Sequence, residues 1–543
     1  MSTLDNYICI CNYQHRREDL MDGKFDAILV GAGHNALACA LHLCARGWRV
    51  GVFEQAPEPG GAVRSGAYTL PGFRHDFAAM NLSLFAGSKF HGDYAEELAR
   101  NGLEFVPVDR PFASVFEDGG WLGVETDAAA TRARIAELSE ADAQTWDRLS
   151  DAFPGEAEHI LRLLGAPMKI NAFASFLVKV LRAKGLRGSL EFGRFLASSP
   201  RAWLEETFEH PKVRALLGAW GMHLDYAPDI SGGAVFPYLE GMAGQAFGMV
   251  IGKGGADTVT RALVSAIRAR GGVVECSAPV ARILHSGGKA SGVELADGRR
   301  FAAGRAVIAG VAPGALVRLT GGTGKPAFDG KMTRFSHAPG TMMLHLALSD
   351  LPDWRAGEAL RRFAYVHLAP SLDQMARTYQ QARAGLLPDE PVIVAGQPTV
   401  FDDSRAPAGQ HVLWLQVRMV PGEIQGDAAG RIAARDWETA AEPMAERVLD
   451  ILDGYAPGIR DRILARHVVT PPMFEAANPN LVGGDQICGS HHLSQHFVLR
   501  PAVGAADGST PIRNLHMTGA AVWPGAGTGA GSGYLLARKL GGK

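Results

Sequence analysis

Gly31, Gly33, Asn35, Ala36 and Glu54 have the types and spacing to hold a nucleotide diphosphate. In Gly31-Ala32-Gly33-His34-Asn35-Ala36, Gly31 permits a tight turn and Gly33 lets the backbone approach a pyrophosphate with no Cβ in the way. Ala36 keeps the third position small enough for a helix to pack closely on a strand. Glu54 follows 18 residues after Ala36, where its carboxylate can accept from both hydroxyls of a ribose.

The elements that must position these residues are written on either side of them. Ala27 to Val30 is an apolar strand, Leu37, Ala38, Ala40, Leu41 and Leu43 recur at helical spacing, and Arg49 to Phe53 is a second strand ending at Glu54. Strand, glycine turn, helix, strand and acid form the dinucleotide fingerprint in its required context. The helix N-terminus adds unpaired N–H groups and a positive dipole end for the phosphates.

A second glycine element decides between dinucleotides. After Glu54 and Gln55 come Gly60-Gly61 and then Arg64, whose guanidinium can pair with a phosphate bidentately. Here the chain resembles the flavoprotein family that includes amine oxidases and bacterial phytoene desaturases. A nicotinamide enzyme has no need of the extra doublet, so FAD is expected rather than NAD.

Near the other end, Gly519 to Gly533 runs into a helix over Tyr534 to Leu540. Gly525 to Ala530 imitates the first fingerprint, but Trp523-Pro524 separates it from the strand Pro511 to Thr518 and no second strand–helix–strand unit follows. The stretch resembles the family's closing flavin motif. That resemblance puts Gly519 near the ribityl-phosphate and Thr528 and Gly529 near flavin N1 and the C2 carbonyl. It puts the Val280 backbone at the adenine, and Ala520 where the family often has an acid. Together with Asn478 to Asp485 and Phe497 to Pro501, these motifs are most similar to the phytoene desaturase-like branch, which also holds carotenoid ketolases and pyridine nucleotide-disulfide oxidoreductase domain-containing protein 2. The resemblance spans about residues 25–541 and implies hydride transfer from a substrate carbon to the flavin.

Candidates for a base or for substrate polarisation are His491, His492, Arg500 and Trp523, with Gln495, His223 and Tyr238 behind them. Each single histidine reads more readily as a structural donor than as a base, and Arg500 equally as an anchor for a substrate carboxylate or as half of a buried structural pair. No acid or histidine repeats at ligand spacing beside His491-His492, so no metal is expected.

At 543 residues, with 47% hydrophobic and 20% charged residues, the chain is long enough for several joined domains. The expected fold is α/β: a Rossmann-type FAD-binding domain, a mixed-sheet substrate domain and a helical cap. The expected division is a weakly ordered extension over 1–24, FAD-binding parts at 25–100, 231–315 and 481–543, and substrate-domain parts at 101–230 and 316–480, with the cap at about 127–222. A net charge of −2 gives no sign of a nucleic-acid partner. The six cysteines form no CxxC pair, which suits a reduced, cytoplasmic setting.

No apolar run reaches membrane-spanning length. Residues 169–196 instead set Phe173, Phe176, Leu177, Val180 and Leu181 against Lys169, Lys179, Arg182, Lys184, Arg187 and Arg194. Such a helix either lies in a bilayer interface or packs on a cap with its basic face in water. The function expected is desaturation of a C–C bond in an apolar or alicyclic small molecule, with electrons passing to oxygen, a quinone or another acceptor. Desaturation of a small cyclic ketone or acid, redox-neutral isomerisation and a non-catalytic flavin-binding role are the alternatives.

Overall fold

The computed structural model describes residues 23–168 and 170–542, the side chains of 170–173 excepted. Cys9, Cys11, Lys169, nearly all of the extension expected at 1–24 and the side chain of Phe173 therefore lie outside the described residues.

The fold is α/β and rests on two seven-stranded sheets. In the first, the parallel strands Leu515–Met517, Arg300–Ala309, Lys24–Val30, Val50–Phe53 and Val273–Glu275 lie side by side, drawn from three distant parts of the chain. The hairpin Val280–Ser286 and Lys289–Leu295 extends it by pairing antiparallel with the start of Arg300–Ala309. Parallel strands need cover on both faces, and Lys24–Val30 is apolar almost throughout. The helices His34–Ala45, Thr258–Ala269 and Gly531–Gly541 supply cover: Leu37, Leu41, Leu263, Ile267 and Leu536 share one buried cluster.

The second sheet is mixed. Its order is Ile463–Val469, Gly340–Leu348, His411–Val420, Val392–Gly396, Tyr365–Leu368, Phe112–Val115 and Trp121–Val124, with one parallel pairing between Tyr365–Leu368 and Phe112–Val115. One face packs on the long helix Trp437–Tyr455 and the other turns toward the cap.

One buried ionic knot ties the two halves together. Arg405 donates from Nη1 to Asp76 Oδ2 (2.6 Å), from Nε to Asp402 Oδ2 (3.0 Å) and from Nη2 to the Gly252 carbonyl (2.6 Å). Ser65 Oγ and the Ala256 N–H donate to the other Asp76 oxygen, and the Gly254 N–H donates to Asp402. The side chains of Arg405, Asp76 and Asp402 are at most 1% exposed, so each charge depends on the others.

Within and after the cap the sequence suggests separate helices over 140–153 and 156–164, none over 211–221 and a glycine-rich connection over 231–255, and the structure differs at each. Glu140–Leu164 is a single helix through Pro154, because Phe153 and Ala157 are both buried in the cap core and hold its halves on one axis; Ser139 caps it by accepting from the Asp142 N–H, as its position predicts. Pro211–Gly221 is a further helix, opened by its proline. Val235–Phe247 is helical where the glycines suggest a connecting loop, because those glycines are contact points: a Cβ on Gly241 would lie 2.5 Å from Leu217 Cδ2, and one on Gly244 would lie 3.0 Å from Phe112 Cε1.

Ile170–Ala197 breaks at Gly185 (φ 67°), between the helical stretches 173–183 and 190–196 that the sequence suggests. Its apolar residues divide. Val180 and Phe192 are buried and Phe176 packs beside them, whereas Leu177, Val178, Leu181, Leu186 and Leu190 are exposed. Lys184 pairs with Glu156 and Arg194 with Glu206. No helix of the described residues is long and apolar enough to cross a membrane.

Candidate active site

The carboxyl ends of the parallel strands open into one cavity of about 1140 Å³ that continues between the second sheet and the cap. Its first half gathers the glycine motifs. Gly31, with φ +92°, sits against the Gly310 carbonyl, where a Cβ would come within 3.2 Å. The Gly60 N–H donates to the Ala32 carbonyl (2.9 Å) and Gly60 bridges Gly33, so the second glycine doublet docks on the first turn. Glu54 is buried at 8% exposure; its Oε2 accepts from the Ala32 N–H (2.6 Å) and its Oε1 from the Ala56 N–H (2.9 Å). Gln55, Gly61, Arg64 and Val280 line the same half.

The end of the chain closes this half. Asn35 Oδ1 accepts from Ser532 Oγ (3.1 Å), joining the first turn to the last helix. Gly533 lies so close that a Cβ on it would be 1.8 Å from the Asn35 carbonyl oxygen. Thr528 donates to the Asn81 carbonyl (2.9 Å), and Gly519, Ala520 and Gly529 lie in the wall. His34, at the turn itself, is lowered to about 4 by burial, against hydrogen bonds to the Gly529 and Gly527 backbone, and is uncharged at neutral pH.

These residues fit a dinucleotide. A Cβ on Gly33 or on Gly519 would meet nothing within 4 Å although both lie in the wall, so the wall recedes where a pyrophosphate and a ribityl chain need room. Arg64 Nε is buried with no hydrogen-bond partner among the described residues, and its guanidinium lies 4.5 Å from the Phe77 ring centroid at the cavity edge. Gly33 has φ −67°, which any residue accepts. Valine at position 33 is therefore expected to fold with unchanged denaturation midpoint and to purify without FAD; a yellow protein of normal flavin content would contradict this use of the wall.

The catalytic candidates are not gathered in one place. His491 lines the cavity, but its Nε2 accepts from the Ala526 N–H (2.9 Å), and burial, followed by the charge of Arg500, holds the ring far below the usual imidazole range. It is a neutral prop for the closing glycines: a Cβ on Gly525 would lie 2.5 Å from that nitrogen.

The other three are not among the residues that line the cavity. His492 faces away from it, within 3.2 Å of both Tyr379 Oη and the Asp225 carboxylate. Arg500 is fully buried and donates to the carbonyls of Ser490 (2.7 Å), Gly489 (3.2 Å) and Ala520 (2.8 Å), which leaves it no fork for a substrate carboxylate. Burial lowers it to about 10. Trp523 donates to the Ala166 carbonyl (2.9 Å) and packs on Phe497 and His496. Gln495 is pinned to Ser336, and Tyr238 is buried in the cap. The Phe497 to Pro501 motif thus lies outside the cavity lining, and its arginine holds the neighbouring carbonyls together.

The second half of the cavity is a chamber of Trp220, His223, Tyr365, Trp414 and one face of helix Val235–Phe247. Tyr365 meets Trp220 edge-on at 6.2 Å and stacks on Trp414 at 5.9 Å. His223 is held neutral by burial, with the neighbouring His367 and Arg418 acting in the same direction. In the helix, Phe236, Leu239, Ala243 and Phe247 face the chamber at helical spacing and place Glu240 among them. Burial alone pushes this carboxyl up to about 7. The sequence held the signal, one acid on an otherwise apolar helical face, but the glycines around it obscured the helix.

This architecture matches known proteins. The family described as flavin containing amine oxidoreductase matches residues 37–422, more than half of the chain. A relative from Mus musculus, pyridine nucleotide-disulfide oxidoreductase domain-containing protein 2, is 28% identical over 93% of this chain and 91% of its own. A phytoene desaturase (neurosporene-forming) from Cereibacter sphaeroides is 25% identical over 92% and 91%. The crystal structure of an oxidoreductase from Methanosarcina mazei shares the fold with a TM-score of 0.60 at 17% identity, covering 96% of this chain and 100% of that one. The chain belongs to the flavin-containing amine oxidoreductase family and is an FAD-dependent oxidoreductase.

Proposed function

We propose that the protein desaturates a C–C bond of an apolar or alicyclic molecule. The observation that carries this reading is the second half of the cavity, an aromatic and aliphatic chamber continuous with the dinucleotide cradle. When bound, FAD supplies the acceptor for the hydride. Trp220, Tyr365 and Trp414 offer flat apolar surfaces that orient a carbon skeleton, and the buried wall excludes water from it. The aligned glycine segment before helix Gly531–Gly541 presents the positive end of that helix to the site. The relationship to a phytoene desaturase supports a CH–CH bond over a C–N bond. The test is anaerobic bleaching of the bound flavin by polyenes, alicyclic ketones and amines in turn. Bleaching by a polyene or an alicyclic compound is expected, and bleaching by amines alone would replace C–C desaturation with amine oxidation.

The same reading gives helix Ile170–Ala197 a role. Leu177, Val178, Leu181, Leu186 and Leu190 stand exposed beside the basic Lys179, Arg182 and Arg187, and the exposed Leu161 and Phe247 border the cavity. Apolar tips beside basic side chains suit the surface of an anionic bilayer, from which an apolar substrate can enter. Cosedimentation with phosphatidylglycerol vesicles is expected, and its loss on replacing Leu186 and Leu190 with serine; equal sedimentation of the variant would contradict that role.

A further inference from the structure

Two acids line the cavity among the described residues, and they are placed in opposite ways. Glu54 is satisfied by two backbone N–H groups. Glu240 has neither a hydrogen-bond nor an ion-pair partner among the described residues and is surrounded by apolar chamber wall. An acid without a partner is costly to keep in such a place.

The helix that carries it is fixed against rotation about its own axis. Gly241 and Gly244 seat it on Leu217 and Phe112. Gln245 locks its rotation, accepting from Trp146 Nε1 (3.1 Å) and donating to the Glu125 carbonyl (2.7 Å). Glu240 and Tyr365 line the same chamber. Thr528 of the closing segment donates to the Asn81 carbonyl. Asn81 itself lines the cavity.

We propose that Glu240 is the proton acceptor of the desaturation. The inference rests on the reading of the chamber given above. As the hydride leaves one substrate carbon for the flavin, the Glu240 carboxylate takes the proton from the adjacent carbon. The electrons of that second C–H bond become the new π bond, and the carboxyl later returns its proton to solvent through the cavity mouth. Among the described residues the neighbouring groups are poorer acceptors: burial keeps the Tyr365 hydroxyl protonated and, with His367 and Arg418, holds His223 so far below the usual imidazole range that its ring is a weak base, and Tyr238, on the same helix, packs among the cap aromatics Phe153, Phe195 and Trp203. A base that titrates near neutrality is well matched to proton transfer at physiological pH.

The test uses the FAD-loaded full chain and its Glu240→Gln variant. Infrared spectroscopy is expected to show a protonated-carboxyl band that titrates with a midpoint near 7 and is absent from E240Q. The wild-type rate of bleaching by substrate should rise with pH through the same midpoint. E240Q should stay yellow and be bleached normally by dithionite, while its bleaching by substrate falls by roughly 10²- to 10⁴-fold and loses that pH dependence. An E240Q bleached as fast as wild type, or a band that has vanished by pH 5, overturns the inference alone. A wild type bleached by none of the compounds overturns the desaturation reading and this inference with it.

Discussion

Replacing Gly533 with alanine is expected to be the most damaging single-methyl change in the protein. The added Cβ would lie 1.8 Å from the Asn35 carbonyl oxygen and 2.7 Å from its carbon, and both are backbone atoms that cannot swing aside. Helix Gly531–Gly541 must then back away from helix His34–Ala45, which opens the Asn35–Ser532 contact and the glycine turn together. Overpacking a core commonly costs about 1–3 kcal/mol, and a backbone-to-backbone clash puts this case at or above the upper end. G533A is therefore expected to lose about 3 kcal/mol or more in chemical denaturation, and to release FAD on gel filtration. The control is Gly193→Ala, on an exposed helical stretch where a Cβ meets nothing within 4 Å. That change should be neutral or stabilise by up to about 1 kcal/mol. Equal stability of the two variants would show that the close approach of the first and last helices is not needed.

Arg405→Met should come next in severity. It removes the cation shared by Asp76 and Asp402, leaving the buried Asp76 with no ion-pair partner among the described residues and Asp402 with only the partly exposed Lys253. Breaking a buried pair from one side costs roughly 3–5 kcal/mol. The pH dependence carries the signature. Burial works to raise Asp402, but hydrogen bonds from Ser404, the Gly254 N–H and Arg405 outweigh it and leave the carboxyl below its usual value. Its contribution is accordingly present above the unfolded pKa and lost as pH falls through the lower folded value. The R405M deficit is expected to be largest at neutral pH and to shrink below about pH 4, where the carboxylates can protonate. A deficit independent of pH would assign the loss to packing and not to charge.

Residues 25–54 were legible because local sequence and long-range fold ask for the same thing there. A strand buried on both faces, a turn that needs glycine and a helix that needs a small residue each have one physical reading. The same holds for Thr258–Ala269 and for the strands His411–Val420 and Gly340–Leu348, whose apolar patterns match their burial. The cap was less legible because its glycines have a tertiary purpose. Gly241 and Gly244 read as breakers locally, yet they are where two elements touch, and only the partners Leu217 and Phe112 reveal it.

The flavin half of the cavity could be assembled from motifs, since its residues act through backbone geometry that leaves marks in sequence. The chamber could not, because its walls come from four separate segments and bear ordinary aromatic residues. His492, Arg500 and Trp523 are polar or aromatic residues in conspicuous stretches, but their side chains bond to the backbone of Asp225, Ala520 and Ala166 and lie outside the cavity lining.

The central claim is that two glycine elements near residues 31–61 and a third near residues 519–533 enclose one FAD. Acid extraction of the purified protein, with the released chromophore quantified against protein, tests it most directly. The account predicts one FAD per wild-type chain and none from folded Gly33→Val. A wild-type chain that carries no flavin when supplied with it, or that takes up NADH one-to-one in its place, would contradict it.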